Sequence, residues 1–120
     1  IFHSHYFVVA TIDGLKHGRL DARDRYSFDC QPIKTERDWG GFQQRVWDDV
    51  EQLARLIDAL PDSQLASDFV DAKYGTYFRC LQGVVEHCHY HLGQIVIQKK
   101  LIRRQPLVSD RCGGVEESLE

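Results

Sequence analysis

The sequence predicts an all-α protein whose helices pack as an antiparallel bundle. Three stretches repeat apolar residues every three or four positions, which is the period of an amphipathic helix. No set of strands alternating apolar and polar residues accompanies them. With 120 residues, of which 42% are hydrophobic, the chain has the size of one small domain with a real core. Helices of this kind bury their apolar stripes against one another, so a bundle is the natural packing.

The first helix is predicted for residues 1–15, where apolar and aromatic side chains recur at helical spacing. Gly18 is a typical stop signal just after it. The β-branched residues at 8–9 and 11–12, together with Gly14, weaken this prediction, so a strand is the alternative for part of the segment. Residues 19–37 are charged and irregular, which predicts a loop with a short extended piece at 26–28.

The clearest amphipathic stretch predicts a second helix over residues 39–60. Asp38, alone or with Thr35, can cap its start, and Pro61 fixes its end near Leu60. Acidic, amide and basic side chains fill the other face of this helix. Its core stripe is formed by apolar residues at helical spacing: Trp39, Phe42, Val46, Trp47, Val50, Leu53, Ile57 and Leu60.

The third helix is predicted from about Thr76 to Arg103, after a connector over residues 61–75. Gly75 and Thr76 indicate a turn and a cap, whereas residues 69–70 favour an extended piece. Basic side chains gather at the end of this helix, where cations complement the helix dipole. The polar residues 105–120 are predicted to form a flexible tail beyond a domain of residues 1–104.

Composition argues against several classes of partner. The formal net charge is −3 and no basic stripe is present, so nucleic acid is not expected as a partner. No apolar run reaches the roughly 18 residues that span a bilayer, and the opening residues lack the basic start of a signal peptide. Four cysteines without CxxC spacing indicate reduced thiols in a cytoplasmic protein.

Histidines supply the candidate chemistry. His87 and His91 are four residues apart on the third helix, so both imidazoles lie on one face and can chelate one ion. His89 is rotated about 200° from that face and cannot join them. A third ligand is expected from the other histidine-rich helix, where both His3 and His5 are candidates. The alternative is that such a pair is merely polar packing. Neutral imidazole suits Zn, Ni, Fe(II) and Mn alike.

A longer motif around this pair resembles the last bundle helix of the DinB-like superfamily of metalloenzymes. The match covers residues 74–100 most strongly and extends more weakly over residues 1–102, with the opening segment similar to that family's second helix. The motif is H-x-x-Y-H-x-G-Q-I followed by a basic pair, and the chain matches it with His87, Tyr90, His91, Gly93, Gln94, Ile95, Lys99 and Lys100.

The resemblance implies an antiparallel four-helix bundle, often a homodimer, whose first helix is missing from this chain. A missing helix would leave an apolar face of the bundle exposed. The resemblance also implies a metal triad with one histidine from the family's second helix and two from its last. In this chain the triad is His3, His87 and His91. His3 is preferred because the sequence around it follows the family pattern of a histidine before aromatics, and His5 stays open as the alternative.

The function implied is that of a divalent-metal-dependent enzyme acting on a small molecule. Hydrolysis and thiol-dependent S-transfer are the two reaction classes of the family, and the second needs a thiol cosubstrate. The sequence identifies no catalytic acid or base, since Glu86 faces away from His87 on a helix and Cys88 belongs to the apolar stripe. The alternative is a non-enzymatic metal-binding or stress-associated helical module.

Overall fold

A computed structural model describes residues 1–104 of the chain. This part contains three α-helices, α1 (Phe2–His17), α2 (Glu36–Asp58) and α3 (Tyr77–Arg104), and no β-strand. The prediction of an all-α protein is therefore confirmed for the described range. None of the three helices has an apolar stretch long enough to cross a membrane. The predicted tail at 105–120 lies outside the described residues.

The boundaries of α1 match the helical prediction and exclude the strand alternative. Gly18 follows the helix with φ of 65°, a left-handed conformation that glycine adopts without steric cost, and its N–H donates to the carbonyl of Gly14. Gly14 lies inside the helix because its missing Cβ leaves room for the Phe69 ring. A Cβ there would lie 2.6 Å from the Cζ atom of Phe69.

The start of α2 is fixed by the predicted cap. The Thr35 hydroxyl accepts a hydrogen bond from the N–H of Asp38 (3.1 Å), and the Asp38 carboxylate accepts one from the N–H of Thr35 (3.0 Å). This reciprocal pair is a capping box, which satisfies donors that the first helical turn leaves free. Helix α3 begins in a similar way, because the Thr76 hydroxyl accepts from the N–H of Arg79 (3.2 Å).

The extended piece predicted at 26–28 is wrong, and the one predicted at 69–70 is wrong at Val70. Residues 26–28 belong to a 3₁₀ helix, Asp24–Phe28, because the Ser27 hydroxyl donates to the carbonyl of Asp24 and closes the turn. In the second connector, residues 59–76 between α2 and α3, Val70 has φ of 61°. Short 3₁₀ turns lie on either side of it at Asp62–Gln64 and Ala72–Tyr74. The connector has one isolated antiparallel bridge, between Asp68 and Thr76.

Helix α1 lies between the other two helices and contacts both. Its buried Val8 and Ile12 pack with Leu53 of α2 to form the core. Partly buried apolar side chains from all three helices surround this core, namely Leu15, Leu56, Ile57, Val84 and Cys88.

The directions of the helices follow from these contacts. Early in α1, Phe2 stacks near Phe42 and His5 pairs with Asp49, whereas Ile12 packs farther along α2. Later residues of α1 therefore contact later residues of α2, so the two helices run in the same direction.

Helix α3 runs opposite to α1, since His3 contacts His87 and His91. Thr11, farther along α1, lies in one cleft with the earlier α3 residues Cys80 and Val84. The prediction of antiparallel helices is wrong for α1 and α2. The first connector, residues 18–35, spans the ~24 Å length of α1, so α2 begins at the same end of the bundle as α1 does.

Three helices leave many large apolar side chains exposed. Trp47 was expected in the core but is 64% exposed. On α3, Leu92 is 55% and Ile97 60% exposed. An apolar cavity of about 210 Å³ opens among all three helices, next to Val50 and Leu92.

Val70 carries backbone strain that a substitution should relieve. A β-branched residue with positive φ costs of order 1 kcal/mol or more, whereas glycine has no Cβ to clash there. Val70→Gly is therefore expected to raise the free energy of unfolding by up to about 1 kcal/mol, measured by urea denaturation. A variant less stable than the wild type would show that the packing of the Val70 side chain outweighs the strain.

Candidate metal centre

Helices α1 and α3 bring three histidines into one cluster. The ring centroids of His3 and His87 are 4.9 Å apart, those of His3 and His91 also 4.9 Å, and those of His87 and His91 4.6 Å. One ring nitrogen from each lies within 4.8 Å of the other two, and all three residues are partly buried. These are the three residues of the metal triad that the DinB-like resemblance implies, with His3 rather than its alternative His5.

The ring of His3 is oriented by Ser27 in the first connector. The Ser27 side chain is fully buried, and its hydroxyl donates to the backbone oxygen of Asp24 (2.6 Å). Its oxygen is then free to accept from Nδ1–H of His3, at 2.6 Å. This arrangement assigns the proton of a neutral His3 to Nδ1 and leaves the lone pair of Nε2 for a ligand.

The ring of His91 is oriented in the same manner by its own helix. Its Nδ1 lies 2.7 Å from Oε1 of Gln94, which accepts the Nδ1–H, and the Gln94 amide nitrogen donates to the hydroxyl of Tyr90 (3.1 Å). The bond to Tyr90 fixes which end of the amide faces His91. His91 therefore also presents an Nε2 lone pair, directed toward His87.

The two α3 histidines meet through their Nε2 atoms, which are 2.7 Å apart. Two lone pairs repel at this distance, so one of the two nitrogens carries the proton of an N–H···N hydrogen bond. Two nitrogens bound tetrahedrally to one zinc ion are about 3.3 Å apart, so metal entry needs a small separation of the rings. Burial lowers the pKa of His87, and the neighbouring His91 and His3 lower it further, which favours the neutral, metal-binding form.

Aromatic and acidic groups complete the surroundings of the cluster. The Phe28 ring stacks on His3 at 4.7 Å, and the Phe7 ring contacts both His3 and His87. Phe28 is itself 67% exposed, so it covers the cluster from the solvent side. The negative charge of Asp24 acts on His87 and opposes the lowering of its pKa.

The other residues considered from the sequence lie outside the histidine cluster. His5 faces α2, where its Nε2 forms a 2.7 Å hydrogen bond with Asp49, so His5 is outside the cluster. His89 is exposed on α3, as helical geometry predicted. Glu86 is exposed and accepts from the Gln82 amide. Cys88 packs against the core and burial raises its thiol pKa, which fits an unreactive core residue.

Sequence reasoning missed the residues that the first connector supplies. Ser27 is 24 positions from His3 and carries no motif, so nothing in the sequence linked the two. Phe28 and Asp24 were missed for the same reason. Gln94 could be found, because it is three residues after His91 and therefore on the same helical face.

Removing the Ser27 hydroxyl should weaken metal binding without removing a ligand. Groups that orient a ligating histidine typically contribute 10- to 100-fold to metal affinity, so Ser27→Ala is expected to raise the Kd for zinc by about that factor. Isothermal titration measures this change. Ser63→Ala is the matched control, since Ser63 is an exposed serine of the 3₁₀ turn Asp62–Gln64 in the other connector. Unchanged affinity in Ser27→Ala would contradict the orienting role.

Comparison with protein-family models, with curated proteins and with solved structures finds no match to this chain. The resemblance to the DinB-like superfamily therefore rests on the sequence motif alone.

Proposed function

We propose that this chain is a DinB-like, divalent-metal-dependent enzyme that acts on a small molecule by hydrolysis or by thiol S-transfer. The observation that carries the proposal is the convergence of His3, His87 and His91 from two helices, with two of the rings held by hydrogen bonds at Nδ1. A cluster made by chance on a surface has no reason to include such orienting partners. Coordinating histidines characteristically have them.

The donor set fits a divalent ion. Three imidazole nitrogens would leave one position of a tetrahedral ion for another ligand, which is the pattern of catalytic rather than structural zinc sites, and they also suit nickel, iron(II) and manganese. When bound, such an ion supplies a Lewis acid that polarises an electrophile and makes water or a thiol more acidic. The protein residues fix the ligand geometry, while the Phe7 and Phe28 rings limit access of water to the cluster.

The four-helix bundle and the homodimer belong to the same proposal. The exposed apolar side chains of α2 and α3, and the cavity of about 210 Å³ among the three helices, support a further helix packed in this groove. A fourth helix there would cover Val50 and Leu92. A homodimer is supported by the DinB-like resemblance alone.

The test is metal content combined with turnover. Purified protein is analysed for bound metal, then loaded separately with zinc, nickel, iron(II) and manganese. Each form is assayed with an activated ester and with a thiol plus an electrophilic acceptor. Turnover that depends on the metal and on His91 supports the proposal. Stoichiometric metal without turnover of either substrate would favour the alternative of a non-enzymatic metal-binding module, and absence of metal binding would remove the basis of both.

Metal binding is also expected to depend on pH. Coordination requires neutral imidazoles, so protons compete with the ion below the ordinary histidine pKa of about 6.5. Because the pKa of His87 is lowered, this residue loses its proton readily and should compete only at more acidic pH. Zinc affinity measured against a chelator should therefore fall on acidification from about pH 7.5 to about pH 5.5. Affinity that is independent of pH would exclude histidine ligands.

A further inference from the structure

A cleft leads away from the histidine cluster between α1 and α3. It encloses about 290 Å³, and His87 forms part of its wall at one end. Phe7 and Ala10 supply its α1 side, one and two turns beyond His3, while Val84 and Cys80 supply its α3 side. Because the two helices are antiparallel, the cleft extends from the cluster toward the beginning of α3, where Arg79 lies.

Small side chains keep this cleft open. Ala10, Ala22 and Gly83 lie in its wall, and a Cβ added at Gly83 would meet no atom within 4 Å. Glycine inside a helix costs about 1 kcal/mol relative to alanine. Neither a turn nor a close backbone approach requires glycine at position 83. What the glycine does is leave part of the cleft empty.

The cleft wall carries a permanent charge at one point. Arg79 is the one residue of the lining with a permanent charge, and the ion pairs found within residues 1–104 do not include it. The rest of the lining is mainly apolar or small: Phe7, Ala10, Thr11, Leu20, Ala22, Phe69, Tyr74, Cys80, Gly83 and Val84. A guanidinium outside these ion pairs, at the end of an apolar cleft, matches a ligand with an apolar body and one anionic group.

We infer that this cleft binds an elongated small molecule whose carboxylate or similar anionic end pairs with Arg79 and whose other end reaches the His3, His87 and His91 cluster. The inference rests on the proposed function, since it assigns a substrate class to that metal site. Arg79 precedes His87 by eight residues, or about 12 Å along the helix axis. A ligand that contacts both must therefore have a chain spanning about two helical turns.

The experiment uses cobalt(II)-loaded protein and two probes of equal length, mercaptooctanoate and the uncharged mercaptooctanol. A thiolate that reaches the cobalt ion produces a charge-transfer absorption band, so the band reports contact at the metal and its titration gives a Kd. The acid is expected to bind about tenfold more tightly than the alcohol. In Arg79→Gln this preference should disappear, with cobalt affinity unchanged.

Gly83→Leu tests the cleft independently of charge. Leucine fills the open space and improves helix propensity, so both probes should bind at least about tenfold more weakly while the protein stays folded and binds cobalt normally. Gly40→Leu is the matched control, because a Cβ at Gly40 also meets no atom within 4 Å and Gly40 is on α2, outside the cleft.

The outcomes separate failure of this inference from failure of the proposed function. If cobalt binds but acid and alcohol bind equally, or if Gly83→Leu binds both as well as the wild type does, the cleft assignment is wrong and the metal site stands. If cobalt binds and neither thiol gives a charge-transfer band, the cleft does not lead to the ion. If metal analysis finds no bound cobalt, the inference fails together with the proposed function.

Discussion

Replacing His91 by alanine is expected to abolish tight binding of divalent metal. Both ring nitrogens of His91 have a partner, because its Nε2 faces His87 and its Nδ1 is held by Gln94. Without it, His3 and His87 remain, and two imidazoles from different helices hold an ion poorly. Since groups that only orient a ligand contribute 10- to 100-fold, loss of the ligand itself should raise the Kd for zinc more than about 100-fold, measured by isothermal titration.

His89→Ala is the control for this experiment. His89 is two residues away on the same helix, yet it is exposed on another face. Its removal deletes the same number of imidazoles and should leave the zinc affinity unchanged. His5→Ala extends the comparison to the alternative ligand, which is paired with Asp49 instead. A large loss in His89→Ala, or a small one in His91→Ala, would show that zinc binds elsewhere.

Replacing Phe69 by alanine is expected to destabilise the fold by about 3–5 kcal/mol, measured by urea denaturation. Phe69 is 1% exposed, the most buried large side chain of the described residues, and its ring packs against Gly14 of α1 and the ring of Tyr77. It connects the second connector to both α1 and the start of α3. Truncation therefore leaves a cavity that these well-packed neighbours cannot close.

Phe78→Ala is the matched control for the stability measurement. Phe78 is also a phenylalanine near the start of α3, but it is 61% exposed. Its truncation should change the free energy of unfolding by no more than about 0.5 kcal/mol in the isolated chain. If Phe69→Ala lowered the free energy of unfolding as little as Phe78→Ala does, Phe69 would not be packed between the second connector and α1 as described.

Local signals in the sequence predicted the helices well. The capping residues Thr35 and Asp38, the left-handed Gly18 and the cap at Thr76 all act within a few positions of the helix ends that they define. The placement of His87 and His91 was equally predictable, because a spacing of four residues fixes the relative direction of two side chains once the helix is known.

Features that depend on distant parts of the chain were not predictable in this way. Ser27 acquires its role because a 3₁₀ turn in the first connector places it against His3. The parallel direction of α1 and α2 depends on the path of that same connector. Trp47 was assigned to the core by periodicity, yet only three helices are present in residues 1–104, and the face that carries Trp47 has no neighbour there.

The proposed function depends above all on one divalent ion held by His3, His87 and His91. The most direct test is an anomalous-scattering map from crystals of the zinc-loaded protein, recorded at the zinc edge. We expect one peak between α1 and α3, with the Nε2 atoms of His3 and His91 and a ring nitrogen of His87 at about 2.0–2.1 Å. A peak bound by His5 or His89, or no peak at saturating zinc, would contradict this assignment.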